Sequence, residues 1–119
     1  MATILVVDDE VTFCTAIARL LRKAGHMVVT ASNSLEGVAL FRSTSGHFDL
    51  ILTDLRMPAM DGHQLVKLVR ETSSRAKIIC MSSAIDEPIP ANTEFLHKPF
   101  DMNDLYERID ELLRHNSNH

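Results

Sequence analysis

The 119 residues include only two cysteines, four glycines and four prolines. Cys14 and Cys80 share no metal-type spacing and stand among apolar neighbours. They read as reduced core thiols of a cytoplasmic protein, which excludes a disulfide scaffold. So little glycine and proline also excludes collagen-like and disordered chains. No apolar run exceeds four residues, as in Ile4–Val7, so no segment can span a membrane. Acids arrive at Asp8 before any apolar stretch long enough for a targeting peptide. Basic residues never cluster beyond Arg22-Lys23, and 12 Lys and Arg against 16 Asp and Glu leave a net charge of −4. Direct nucleic-acid binding, which needs clustered cations, is therefore not expected. There is no internal repeat, low-complexity tract or linker.

What remains is an ordinary globular composition, 45% apolar and 24% charged. A chain of this length buries roughly two thirds of its unfolded surface, enough for a core without metal or disulfide support. One domain is expected over residues 1–114, followed by a polar tail, 115–119. His115 and His119 stand four apart in that tail. Asn116-Ser117-Asn118 between them is poor helix material, so the spacing reads as chance.

Ile4-Leu5-Val6-Val7 is apolar without alternation, which suits a parallel strand buried on both faces. Cys14, Ile17, Leu20, Leu21 and Ala24 then recur at helical spacing, with Gly25 where a helix stop belongs. Met27–Ala31 reads as a second strand. Asn33 and Glu36 form a capping pair for a helix through Phe41, in which Gly37 costs about 1 kcal/mol relative to alanine. Leu50–Thr53 is a third strand closed by Asp54. Pro58 and Gly62 mark a loop before a helix carrying Leu65, Leu68 and Val69. Ile78–Met81 is a fourth strand, Phe95-Leu96 lies in a short fifth, and Asp101 caps a last helix with Leu105, Ile109, Leu112 and Leu113 on one face. Strands alternating with helices predict a parallel sheet covered on both faces, an α/β doubly wound architecture.

In such a sheet, sites form outside the carboxyl ends of the strands. Asp8 and Asp9 end strand 1, Asp54 ends strand 3, Ser82 ends strand 4 and Lys98 follows strand 5. If strands 1 and 3 are neighbours, three carboxylates converge, and like charges at that range need a cation between them. An all-oxygen set favours Mg²⁺. Lys98 adds a compensating charge, and Ser82 a hydroxyl that could hold an anionic group added to Asp54. This suits a carboxylate nucleophile attacking phosphorus.

At Val6-Val7-Asp8-Asp9-Glu10, Asp54-Leu55-Arg56-Met57-Pro58-Ala59-Met60-Asp61-Gly62, Ser82 and Lys98-Pro99-Phe100 the chain resembles the response-regulator receiver domain of two-component signalling. The resemblance runs from Ile4 to Leu113. It implies a flavodoxin-like sheet of strand order 2-1-3-4-5 and a phosphoryl group received on Asp54 from the phosphohistidine of a histidine kinase or histidine phosphotransfer domain. It further implies Mg²⁺ held by Asp9, Asp54 and the Arg56 backbone carbonyl, with Asp8 acting mainly through metal-bound water. Ser82 and Lys98 would contact the phosphoryl oxygens, Ser82 and Phe95 would form the switch, and Lys98-Pro99 would be cis. Ser83 stands where the family usually has alanine or glycine, so either serine could be the donor, and counting from Ile78 favours Ser82.

Ser83 to Thr93 is a stretch of eleven residues containing Pro88 and Pro90, a spacing that opposes a helix interior. The family's fourth helix is expected to be missing or reduced to a turn. A similar shortening followed by a Phe-Leu-x-Lys-Pro-Phe string is associated with receivers of hybrid histidine kinases. The expectation is an isolated domain that is monomeric and whose own chemistry is limited to phosphoryl transfer onto Asp54 and slow autodephosphorylation. Two rivals are a degenerate receiver that only binds partners and an aspartyl-phosphate hydrolase of haloacid dehalogenase type. The latter needs a second aspartate where Arg56 stands.

Overall fold

Five parallel strands form one sheet in the computed structural model, which describes residues 2–45, 47–73 and 75–115. The elements run β1 (Thr3–Val7), α1 (Val11–Lys23), β2 (Met27–Ala31), α2 (Ser34–Ser43), β3 (Leu50–Asp54), α3 (Gly62–Thr72), β4 (Ile78–Ser82), β5 (Glu94–His97) and α4 (Met102–His115). Spatial order is β2-β1-β3-β4-β5. The order reverses beside β1, which pairs with β2 on one side and β3 on the other. The expected strand order is thus observed.

Alternation within the strands sorts the core into two layers. Ile4, Val6, Leu50, Leu52, Ile79 and Met81 face Cys14, Ile17 and Leu21 of α1 and Leu105 and Ile109 of α4. Leu5, Val7, Ile51, Ile78 and Cys80 face Val38 and Phe41 of α2 and Leu65 and Val69 of α3. Central strands are buried on both faces, which is why β1, β3 and β4 read as unbroken apolar runs.

The caps follow the sequence signals. Asn33 accepts the Glu36 N–H through its side chain at 2.8 Å, while Glu36 reaches back to the Ser32 N–H, also at 2.8 Å. Asp101 accepts the Asn103 N–H at the start of α4. Gly37 has a role that helix propensity misses. A Cβ there would lie 2.9 Å from Val7 Cγ2 and 3.1 Å from Leu65 Cδ1, so the missing side chain lets α2 close on β1 and α3.

No helix links β4 to β5, as the two prolines require. The 83–93 crossover is held instead by polar contacts. Arg70 on α3 donates to the Asn92 carbonyl, and Thr93 Oγ1 to the Pro90 carbonyl at 2.7 Å. Ile85 and Ile89 on this crossover are exposed. The backbone of α4 reaches His115, one residue past the expected domain end. The rest of the expected polar tail, with His119, lies outside the described residues.

Candidate functional site

Because β1 and β3 are neighbours with Val7 opposite Thr53, the residues that follow them emerge side by side. Asp8, Asp9 and Asp54 each present a carboxylate oxygen within 4.8 Å of the others. Asp8 is fully buried, Asp54 nearly so, and Asp9 is exposed. The Asp8 carboxylate accepts the Glu10 N–H at 2.9 Å through Oδ1 and Lys98 Nζ at 2.8 Å through Oδ2. Lys98 Nζ also lies 3.6 Å from Asp54 Oδ2. The Arg56 N–H approaches Asp54 Oδ1 at 3.3 Å.

This arrangement sets the protonation of the site. Burial pushes the Asp54 carboxyl above its ordinary value, and the Asp8 and Asp9 charges add to the effect while Lys98 and the Arg56 N–H oppose it. Burial alone would lower the Lys98 ammonium, but its hydrogen bond to Asp8 and the charges of Asp54, Asp8 and Glu10 reverse the sign and raise it. Lys98 is therefore a fixed cation facing an acid that is held in tension. Three carboxylate oxygens in one small volume fit a hard divalent cation, with the exposed side left to Asp9.

Lys98 is placed by the backbone on one side and a ring on the other. Its N–H donates to the Ser82 carbonyl at 2.8 Å, continuing the ladder past β5, and the Lys98-Pro99 peptide bond is cis, as expected. The ammonium lies 4.2 Å from the centroid of Phe13, whose ring meets Phe100 edge-on at 6.1 Å. A Lys⁺ over an aromatic face is an attractive contact. Sequence reasoning gave Phe13 no role, because one phenylalanine on an amphipathic helix carries no signal of a cation above it.

The two serines separate clearly. Ser82 is fully buried at the end of β4, whereas Ser83 is exposed. Ser82 Oγ accepts the Ala84 N–H at 3.1 Å and bonds Glu87 Oε1 at 3.1 Å. Phe95 is half-buried and pairs in register with Cys80, on the sheet face shared with α2 and α3.

Glu87 is the residue the sequence reading missed. Its side chain is 3% exposed, and its carboxylate takes a bond from Arg56 Nε and meets His63 Nε2 at 2.8 Å as well as binding Ser82. Burial raises its pKa, but bonds from Arg56, His63 and Ser82 outweigh burial and hold it below the usual carboxylate range. A glutamate in a proline-containing crossover has no periodicity to mark it, and its partners come from three other parts of the chain.

Gly62 closes the loop that carries Arg56. A Cβ at this position would lie 2.2 Å from the Asp54 carbonyl oxygen, so α3 can begin against the site only with glycine there. Asp61 caps the same helix by accepting the Gln64 N–H at 3.0 Å.

A sequence profile described as the response regulator receiver domain matches residues 4–110. The chain belongs to the response-regulator receiver-domain family. This receiver domain is 34% identical to the transcriptional regulatory protein ZraR of Klebsiella oxytoca over 94% of its length. It spans about a quarter or less of the curated relatives it matches, 26% of ZraR and 12% of another. The receiver domain of the hybrid histidine kinase CckA is 32% identical with a TM-score of 0.84, covering 93% of this chain and 98% of that one. TrrA of Thermotoga maritima, solved in complex with Mg²⁺ and BeF, is 30% identical with a TM-score of 0.82, covering 95% of this chain and all of that one. Among the described residues of this receiver domain, no helix is long and apolar enough to cross a membrane.

Proposed function

We propose that this domain receives a phosphoryl group on Asp54 from the phosphohistidine of a histidine kinase or histidine phosphotransfer domain, and signals in the cytoplasm by changing conformation. The observation that carries the reading is the convergence of Asp8, Asp9 and Asp54 oxygens within 4.8 Å, with Lys98 Nζ 3.6 Å from Asp54. An Asp54 oxygen attacks phosphorus, the P–N bond to the donor imidazole breaks, and the imidazole leaves with the bonding electron pair. Lys98 neutralises charge on the phosphoryl oxygens, and the Ser82 hydroxyl donates to one of them. Asp8 keeps Lys98 charged and aimed. Asp9, Asp54 and the Arg56 carbonyl would hold Mg²⁺, with Asp8 acting mainly through metal-bound water, and the ion would supply further neutralisation of those oxygens.

An apolar groove of about 490 Å³ borders the site, lined by Phe13, Ile17 and Leu20 of α1 and by Pro99, Phe100 and Met102. Lys98 and Glu10 share its rim, so a histidine-bearing helix seated there brings its imidazole toward Asp54. Phe95 is proposed to follow Ser82 when the group arrives. Slow water attack on the phosphoaspartate returns the resting state. A hydrolase of haloacid dehalogenase type is disfavoured. Two residues after Asp54 stands Arg56, whose guanidinium binds Glu87 and offers no second carboxylate.

Incubation with a small phosphodonor and Mg²⁺ tests the reading. One acid-labile and base-labile phosphoryl group per chain is expected, absent without metal and absent in Asp54→Asn. Incorporation that survives Asp54→Asn would overturn it.

A further inference from the structure

The Ser82 hydroxyl owns one proton, and the structure has already committed it. Glu87 lies 3.1 Å away, its carboxylate paired with the Arg56 guanidinium and in contact with His63 Nε2, and a carboxylate can only accept. Ser82 is therefore the donor in that bond. Its lone pairs face the Ala84 N–H at 3.1 Å. Phosphoryl oxygens are also acceptors, so they and Glu87 compete for the same proton.

We propose that Glu87 is a positioning residue that holds the Ser82 hydroxyl in the resting state, and that a phosphoryl group on Asp54 must break this bond to gain its serine contact. The inference rests on the proposed function and adds a residue to it. Glu87 lies outside the strands. It belongs to the 83–93 crossover, and Ser82, Arg56 and His63 fix that crossover near the site. Losing one of three bonds loosens the segment where its helix is missing. Arg56 links both halves of the event, because its N–H approaches Asp54 while its guanidinium grips Glu87.

The test uses beryllofluoride with Mg²⁺ as the phosphoryl mimic, titrated against the wild type, Glu87→Gln and Glu87→Ala. The same substitutions are then made in a Ser82→Ala background. Glu87→Gln keeps an oxygen for Ser82 but no charge, and Glu87→Ala frees the hydroxyl altogether. Binding is expected to tighten about threefold in Glu87→Gln and about tenfold in Glu87→Ala, the latter being about 1.4 kcal/mol. Both gains should vanish in Ser82→Ala. Amide hydrogen exchange across 83–93 should quicken on ligation of the wild type and be fast without ligand in Glu87→Ala.

Equal or weaker binding by Glu87→Gln overturns the proposal even if Glu87→Ala fails to fold. A gain that persists undiminished in Ser82→Ala overturns it too, since that is the signature of a removed negative charge acting at a distance. A wild type that binds the mimic with no gain in either variant leaves the proposed function standing and removes Glu87 from it. A wild type that binds no mimic overturns both.

Discussion

Lys98 Nζ donates to Asp8 Oδ2 at 2.8 Å, joining residues ninety positions apart in the chain. The acceptor is fully buried and the lysine side chain is 13% exposed, so each charge depends on the other. The domain therefore builds its site from a pair that only the finished sheet brings together.

Replacing the lysine exposes that dependence. Lys98→Met leaves the buried Asp8 carboxylate without its cation and is expected to cost about 3 kcal/mol in the metal-free chain. Urea denaturation measures the loss, and saturating Mg²⁺ should restore part of it. A cost identical with and without Mg²⁺ would show that the metal does not share the charge of this cluster.

Asp54 acts in the opposite sense. Its folded pKa is raised, so the folded state holds its proton to higher pH than the unfolded chain does. Stability therefore falls as pH rises from the ordinary aspartate value through the raised folded one, and the deficit is full above that. Asp54→Asn removes the deficit. In metal-free buffer the variant should melt higher than the wild type at pH 7, by roughly 3–5 °C for a change of roughly 1 kcal/mol. The advantage should shrink to nothing in acid, as followed by thermal melts across pH. A variant that melts lower at pH 7 would show that the three carboxylates are not in mutual repulsion.

Gly37→Ala sets two effects against each other. Helix propensity favours alanine by about 1 kcal/mol. The new methyl would meet Val7 Cγ2 at 2.9 Å, in a β-branched side chain that is fully buried and locked by its neighbours. Overpacking of this kind costs typically about 1–3 kcal/mol, so net destabilisation of about 1 kcal/mol is expected from urea denaturation. A stabilised variant would mean that α2 can back away from β1.

The thiols should be inert while the chain is folded. Burial pushes Cys80 up to about 11, and Cys14 is raised by burial and by the Asp8 charge. Native protein at pH 8 should react with iodoacetamide far more slowly than protein in urea, and mass spectrometry reads the adducts. Rapid native labelling of Cys80 would require β4 to open.

The strands and the acids that end them were legible because they rest on local signals, whereas the order of the strands, and with it the meeting of Asp8 and Asp54, came from the family resemblance. Unbroken apolar runs mark strands buried on both faces, and an acid at the end of such a run marks a strand's carboxyl end. The place of Ser82 as the last, buried residue of β4, with Ser83 exposed beyond it, was legible by counting from Ile78. Glu87 was not, since its meaning comes from Arg56, His63 and Ser82 converging on a segment with no repeating pattern. The second role of Gly37 was hidden for a related reason. Propensity describes a helix alone, and the contact with Val7 exists only once the helix is docked.

The approach of Gly62 to the Asp54 carbonyl has a consequence for exchange of parts between proteins. The Gly62 N–H donates back to the Leu55 carbonyl at 3.1 Å, so residues 55–62 form a closed ring whose circumference is set at its own neck. Such a ring behaves as a cassette. A segment transplanted here has to keep the length and the terminal glycine, and also the buried Leu55 and Met57 and the Asp61 cap of α3. An insertion or deletion of one residue must be absorbed inside the ring, which also holds the Arg56 N–H near Asp54.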